Sequence, residues 1–373
     1  MTGNRRRYRQ REQARDMVEA FINRIAACVP PHDVHEAFIR FAESQLRDDR
    51  RNALLFRRLV GKGGIDHRYS CLEPLDGLDG DVLDVGGLFV RGRFPGTGAR
   101  MRFFEEHAPG LAADAVRRLQ LEDERSRITH LLITCCTGLS APGLDLEIIE
   151  RCGLARSVER TILGFMGCYA AVNALRLARH IVRSEPEARV LIVSLELCTL
   201  HLKETTDLEE ILSFLLWGDG SAACLVTSKP EGFALDGFTT VLAPAARDLI
   251  TWNIRDAGFD MRLSGQVPHA IFESLVAHSS EILAGAEAGS VDLWAVHPGG
   301  RSVLDAVERA LELQPSALSA SRETLRRFGN MSSATVLFVL RELLSSARAG
   351  AKGCAMSFGP GLVAETMRFH AVG

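Results

Sequence analysis

The sequence lacks any Cys-x-x-Cys pair. Its nine cysteines, at 28, 71, 135, 136, 152, 168, 198, 224 and 354, are odd in number and irregularly spaced. Neither a disulfide framework nor a zinc site is indicated, and a reducing cytoplasm suits the chain best. It also lacks an apolar run long enough to span a membrane, and its first residues lack the apolar core of a signal peptide. Charge of either sign is not in excess: the net charge is -3 and the pI about 6.4, which argues against a nucleic-acid binder and leaves room for a local basic patch. What remains is an ordinary globular composition, 46% hydrophobic and 24% charged over 373 residues, enough for two core-bearing halves.

One stretch stands out chemically. Gly164 and Gly167 flank the approach to Cys168, after which Ala171, Ala174, Leu175, Ala178, Ile181 and Val182 recur at the spacing of a helix with one buried face. Cys168 then falls at that helix's first turn, where unpaired N–H groups and the positive end of the dipole favour an anion. On that basis Cys168 is a candidate nucleophile with a lowered thiol pKa. The competing reading is a cysteine that only fills core space.

Taken in order, residues 1–19 form a basic extension carrying Arg5, Arg6, Arg7, Arg9, Arg11 and Arg15, to which no function is assigned. An apolar strand from Ala20 to Val29 stops at Pro30 and Pro31. A helical alternation runs from His35 to Leu59 and breaks at Gly61–Gly64, with Arg57, Arg58 and Lys62 close by. These cations read either as a phosphate-facing patch or as a solvated helix face ending in a glycine cap. Residues 71–98 read as an irregular surface connection, and 99–120 as helical. Short apolar runs at 130–138, 189–196 and 218–227 read as buried strands, the first with Cys136 and Thr137 at its end and the last entered by a glycine turn.

The second half repeats this alternation. A strand at 291–296 ends in His297-Pro-Gly-Gly300, a helical pattern follows through Val303, Ala306, Val307 and Ala310, and Asn330 stands at another helix entrance. Strands alternating with helices predict an α/β fold of two related units, 20–230 and 231–373, although no residue-level repeat is evident.

Gly167-Cys168, Trp217-Gly-Asp-Gly220, His297-Pro-Gly-Gly300, Gly329-Asn-Met-Ser-Ser333 and Phe358-Gly-Pro-Gly-Leu362 occur together in this order. From about residue 20 to the last, the chain resembles the type III polyketide synthases, the chalcone-synthase-like enzymes of the thiolase superfamily. The resemblance implies a five-layered αβαβα fold of two similar halves and a homodimer. It also implies a catalytic set of Cys168, His297 and Asn330. A thiolate accepts an acyl group from an acyl-CoA, with imidazolium stabilising it, and His and Asn donors stabilise the oxyanion and the malonyl-derived enolate. Malonyl-CoA and acyl-CoA are then the substrates, with no metal or redox cofactor. Arg58 and Lys62 match residues that hold the CoA phosphates, whereas Leu55 stands where plant members carry a third cation, for which Arg57 is a possible substitute.

The resemblance further implies that Cys136, Thr137, His201, Trp217, Trp252 and Met261 line the reaction cavity. Trp217 and Met261 replace gatekeeping phenylalanines and Trp252 replaces a glycine, so a coumaroyl starter leading to naringenin chalcone is not expected. Ala141, before Pro142, stands where plant members place a methionine that reaches into the partner's cavity. The expected product is a pyrone or a phenolic ring of the resorcinol or phloroglucinol type. A single-condensation ketoacyl synthase also uses Cys, His and Asn, but typically surrounds its histidine with Gln-Ala-Asn rather than Pro-Gly-Gly. A non-catalytic binding protein on the same fold would not need all three residues.

Overall fold

Alternating side chains on the central strands commit each strand to two hydrophobic interiors at once. The computed structural model describes residues 18–75 and 81–373, so the basic residues Arg5 to Arg15 lie outside the described residues. The strands are β1 (Phe21–Cys28), β2 (His32–Asp33), β3 (Tyr69–Ser70), β4 (His130–Cys135), β5 (Glu159–Gly164), β6 (Val190–Leu197), β7 (Asp219–Thr227), β8 (Gly232–Leu242), β9 (Ile250–Arg255), β10 (Gly258–Leu263), β11 (Leu293–Val296), β12 (Lys352–Gly359) and β13 (Val363–Val372). Nine of them form one sheet in the order β11-β12-β13-β8-β1-β7-β6-β4-β5.

The duplication is visible in that order. In the first half the strands by chain position run 3-2-4-5-1; in the second, with β8 as position 1 and the third position without a described strand, they run 2-4-5-1. The halves join where β1 pairs with β8 through Phe21 opposite Ala234 and Ile22 opposite Phe233.

Burial gives the layers. On β6, Leu191, Val193 and Leu195 enter a cluster shared with the helix Thr97–Arg118, while Val190 and Ile192 enter a central cluster containing the helices Ala170–Ser184 and Thr335–Ser346. On β12, Cys354 and Met356 pack into a third cluster with the helices Val267–Ile282 and Arg301–Ala310, and Ala355 faces the central one. Two central helices between sheet halves, each half covered outside by helices, make the thiolase-like αβαβα arrangement.

Two local readings are corrected. The stretch 35–59 is two helices, His35–Gln45 and Arg50–Val60, because the Asp49 side chain accepts the Asn52 N–H and starts a new helix. The irregular stretch 71–98 is not confined to the surface: Leu72, Leu83 and Phe89 are buried, and the Asp84 carboxylate accepts the N–H groups of Leu88 and Phe89.

Candidate active site

Cys168 sits between β5 and the central helix Ala170–Ser184, in a short turn Gly167–Tyr169. Gly167 has φ +75°, and a Cβ there would come within 2.2 Å of the Pro360 ring. The Gly-Pro-Gly motif is thus the surface against which the turn of Cys168 is pressed, and only glycine fits. The Gly167 N–H donates to Cys136 Sγ at 3.0 Å, and Cys168 Sγ lies 3.7 Å from Ser332 Oγ.

His297 follows β11 as Cys136 follows β4, an equivalent place in the two halves. Its N–H donates to the Met356 carbonyl, and neither ring nitrogen of this buried side chain has a hydrogen-bond partner among the described residues. Asn330 precedes the second central helix as Cys168 precedes the first. Its backbone is held by Trp217-Gly-Asp-Gly220: Asn330 N–H donates to Leu216 O at 2.7 Å and Gly218 N–H donates to Asn330 O at 3.0 Å. Its Oδ1 accepts the Ser332 N–H at 2.9 Å and its Nδ2 donates to Gly299 O at 3.2 Å. That leaves one amide hydrogen uncommitted among the described residues.

The electrostatics correct the expectation of a ready thiolate beside an imidazolium. Burial pushes the Cys168 thiol up to about 12 and His297 down to about 3, so each group taken alone is neutral. The helix terminus does not outweigh the loss of water around the sulfur. An ion pair made by passing the thiol proton to the imidazole would keep the site's net charge at zero.

Cys168, His297 and Asn330 line one cavity with about 50 Å³ of space open to a water-sized sphere, and Cys136, Thr137, His201, Trp217, Trp252 and Met261 line it too. Trp252 and Met261 are opposite one another on the β9–β10 hairpin. Trp252 donates Nε1–H to the Cys136 carbonyl at 2.7 Å. His201 donates through Nε2 to the Thr137 carbonyl at 2.7 Å, accepts the Phe259 N–H at Nδ1, and stacks on the Phe259 ring with centroids 4.2 Å apart. Burial holds its pKa at about 3, so it is a fixed neutral wall.

A family model for the N-terminal domain of chalcone and stilbene synthases matches residues 4–230, and one for their C-terminal domain matches 236–373. The chain belongs to the type III polyketide synthases. It is 32% identical over 329 residues to "Alpha-pyrone synthesis polyketide synthase-like Pks18" of Mycobacterium tuberculosis, covering 84% of this chain and 82% of that protein. It is likewise 32% identical over 387 residues to bisdemethoxycurcumin synthase of Oryza sativa, covering 97% and 94%. The crystal structure of PKS-I from the brown alga Ectocarpus siliculosus superposes with a TM-score of 0.84 at 27% identity, over 96% of this chain and 99% of that one. The synthase is therefore an acyltransferase-type condensing enzyme. Among its described residues no helix is long and apolar enough to cross a membrane.

Beside the synthase's cavity lies an open groove of about 1210 Å³, sharing Leu263, Val267, Gly299 and Val303 with it. Lys62 lines this groove, whereas Arg58 is exposed and is not among the lining residues. Arg57 is paired with Glu43 and so does not stand in for a cation at Leu55. Sequence reading missed Glu196, at the end of β6. Fully buried, it accepts the Cys136 N–H at 2.9 Å, Thr137 Oγ1–H at 2.8 Å and Ser333 Oγ–H at 2.6 Å, tying the loops of Cys136 and Asn330 together. Burial raises its pKa to about 7 against the lowering effect of those bonds. The signal was a single acid in the strand Val190–Leu197, whose other residues are apolar but for Ser194.

Proposed function

We propose that the synthase loads a small aliphatic acyl group from CoA onto Cys168, extends it with malonyl-CoA a few times, and closes the poly-β-keto chain to an α-pyrone or a small phenolic ring. The observation that carries the chemistry is the buried imidazole of His297, without a partner at either nitrogen, lining the same cavity as Cys168 and the uncommitted amide hydrogen of Asn330.

In this mechanism His297 takes the thiol proton as Cys168 Sγ attacks the thioester carbonyl. His297 and Asn330 donate to the tetrahedral oxyanion, and CoA leaves with the proton. Malonyl-CoA then enters; its C–CO₂ bond breaks, CO₂ departs, and the electron pair stays on the thioester as an enolate held by the same donors. The enolate carbon attacks the Cys168 thioester, the carbon–sulfur bond breaks, and the lengthened chain remains on CoA, ready to return to the freed cysteine. Departing CO₂ supplies the electron pair for each new carbon–carbon bond, so the cycle needs no metal or redox cofactor.

The small cavity favours short products. Trp252 and His201, edge to face at 5.3 Å, stand on its wall. A coumaroyl starter is not expected, because Trp252 takes up space at that wall. The similarity to an α-pyrone synthase supports lactone closure. A homodimer is supported by β5, an edge strand whose Ile162 is exposed beside exposed Leu139 and Met166, with Ala141 close in sequence. All nine cysteines are free, which suits a cytoplasmic enzyme.

The test is incubation of purified protein with malonyl-CoA and a panel of short, long and aromatic acyl-CoA starters, with products read by mass spectrometry and Cys168→Ala as control. Products carrying several acetate units on short starters, lost in the variant, bear the reading out. Single-extension products, or activity confined to acyl carrier protein thioesters, would replace it with a ketoacyl synthase.

A further inference from the structure

A second apolar space lies against the reaction cavity. Phe38, Phe41 and Ala42 of the helix His35–Gln45 line it together with Leu202, Ile211 and Leu215. Gln45, also in its lining, is turned to the backbone, its Oε1 accepting the Thr205 N–H at 2.9 Å. About 10 Å³ of this space is open to a water-sized sphere, against about 50 Å³ in the reaction cavity. The two spaces adjoin at two places. His201 lines the cavity and Leu202 the second space, while Phe214 lines both, the only described residue to do so.

The first boundary is fixed. His201 is bonded at both ring nitrogens, to the Thr137 carbonyl and the Phe259 N–H, and the buried guanidinium of Arg100 donates to the carbonyls of Leu200 and Leu202 on either side of it. The second boundary is fixed only in its backbone. Another buried guanidinium, that of Arg68, donates to the carbonyls of Phe214 and Trp217, each at 3.1 Å. Ile211, Phe214 and Leu215 share the spacing of one helix face at the end of the helix Leu208–Phe214. A phenyl ring has no hydrogen-bonding group, so packing alone keeps that of Phe214 in place. Shortening this side chain removes wall while Arg68 still holds the backbone, and a ring-sized apolar gap in a core stays dry and takes an apolar guest.

We propose that Phe214 sets the upper length of the acyl starter: its ring is the partition between the reaction cavity and the apolar space behind it, and without it the tail of a longer acyl chain held on Cys168 enters that space. This rests on the reading of the protein as an enzyme that loads an acyl group from CoA onto Cys168. Phe214 meets the hydrocarbon end of the starter and takes no part in the bond changes at the sulfur. Its effect is therefore confined to which chain lengths are accepted.

The experiment offers acetyl-, butanoyl-, octanoyl- and dodecanoyl-CoA to the full-length protein and reads acylation of Cys168 by intact mass, with Cys168→Ala as blank. In Phe214→Ala the rate of octanoyl loading relative to butanoyl loading should rise about 10- to 100-fold, as about two or three newly buried methylenes give. Phe214→Leu, which keeps more of the packing, should give a smaller rise in the same direction and carries the test should the alanine variant fold poorly. Adding Ala42→Leu to either, which refills the second space from the helix His35–Gln45, should bring the ratio back near the wild-type value. An unchanged ratio in both Phe214 variants, with butanoyl loading retained, overturns the assignment and leaves the enzymatic reading intact. So does a raised ratio that Ala42→Leu fails to reverse, because the added room then lies elsewhere. A wild-type protein that none of these acyl-CoAs loads overturns both.

Discussion

The indole Nε1–H of Trp252 is bonded to the carbonyl of Cys136 across 2.7 Å, so the β9–β10 hairpin is fastened to the end of β4 directly over the reaction cavity. Trp252 also meets His201 edge to face at 5.3 Å. The cavity's size is thus set by a clamp whose parts come from three separate segments.

Releasing that clamp should change which starters fit. Trp252→Gly removes both bond and volume and should shift acylation toward longer acyl-CoAs, at a stability cost of about 2–4 kcal/mol. Trp252→Phe keeps most of the volume and should cost about 1 kcal/mol with little change in length preference. Product masses over a ladder of starters, with thermal melts, check both; an unmoved preference in Trp252→Gly would sink the wall's role.

Thiol reactivity tests the proton exchange between Cys168 and His297. Burial alone leaves the thiol at about 12, so a partner that takes its proton is needed for reaction near neutrality. In His297→Gln the rate of Cys168 alkylation by iodoacetamide at pH 7 should fall at least about tenfold. An equal rate in the variant would mean that the imidazole does not activate the sulfur.

In the proposed mechanism Asn330 donates in both loading and extension, and the two contributions can be measured apart. Asn330→Ala removes a donor to the enolate and should lower malonyl-CoA decarboxylation by about 100- to 1,000-fold. It also strands the Ser332 N–H and Gly299 carbonyl it now serves, at about 1–3 kcal/mol of stability. Release of labelled CO₂, compared with intact-mass loading of Cys168, distinguishes the two steps.

Two buried groups give opposite pH dependences. Glu196 has a folded pKa of about 7, above its ordinary value of 4.5. Its protonated form favours the fold, and that contribution is lost as pH rises from about 4.5 through 7. Glu196→Gln should remove this loss and gain on the wild type by about 1–3 kcal/mol toward pH 8. His201 has a folded pKa of about 3, below its ordinary 6.5, so its contribution is present above 6.5 and lost as pH falls toward 3. Denaturant melts from pH 4.5 to 8.5 check both slopes; parallel curves for Glu196→Gln and wild type would refute the first.

Much of this was legible in the residues. Glycine turns, strand ends and helix entrances located Cys168, His297 and Asn330, and the six expected wall residues all line the cavity. What escaped depends on distance in the chain. Glu196 reads as a strand residue until β4 and Ser333 are folded against it. Phe259 holds the wall residue His201 only because the fold brings its backbone N–H to His201 Nδ1 and its ring onto the imidazole. Arg57 looked free because its partner Glu43 lies across a helix break that Asp49 creates. The thiol's upward shift follows from burial, which spacing does not report.

The repeated strand order has a last consequence. Equivalent corners of the two halves carry Cys136 and His297, and equivalent helix entrances carry Cys168 and Asn330. In the proposed mechanism the first half supplies the acceptor of the acyl group and the second its proton carrier and anion donors. Residues of both halves therefore line one cavity, and neither half, folded by itself, would hold the full set. Selection for activity acts on the seam between them.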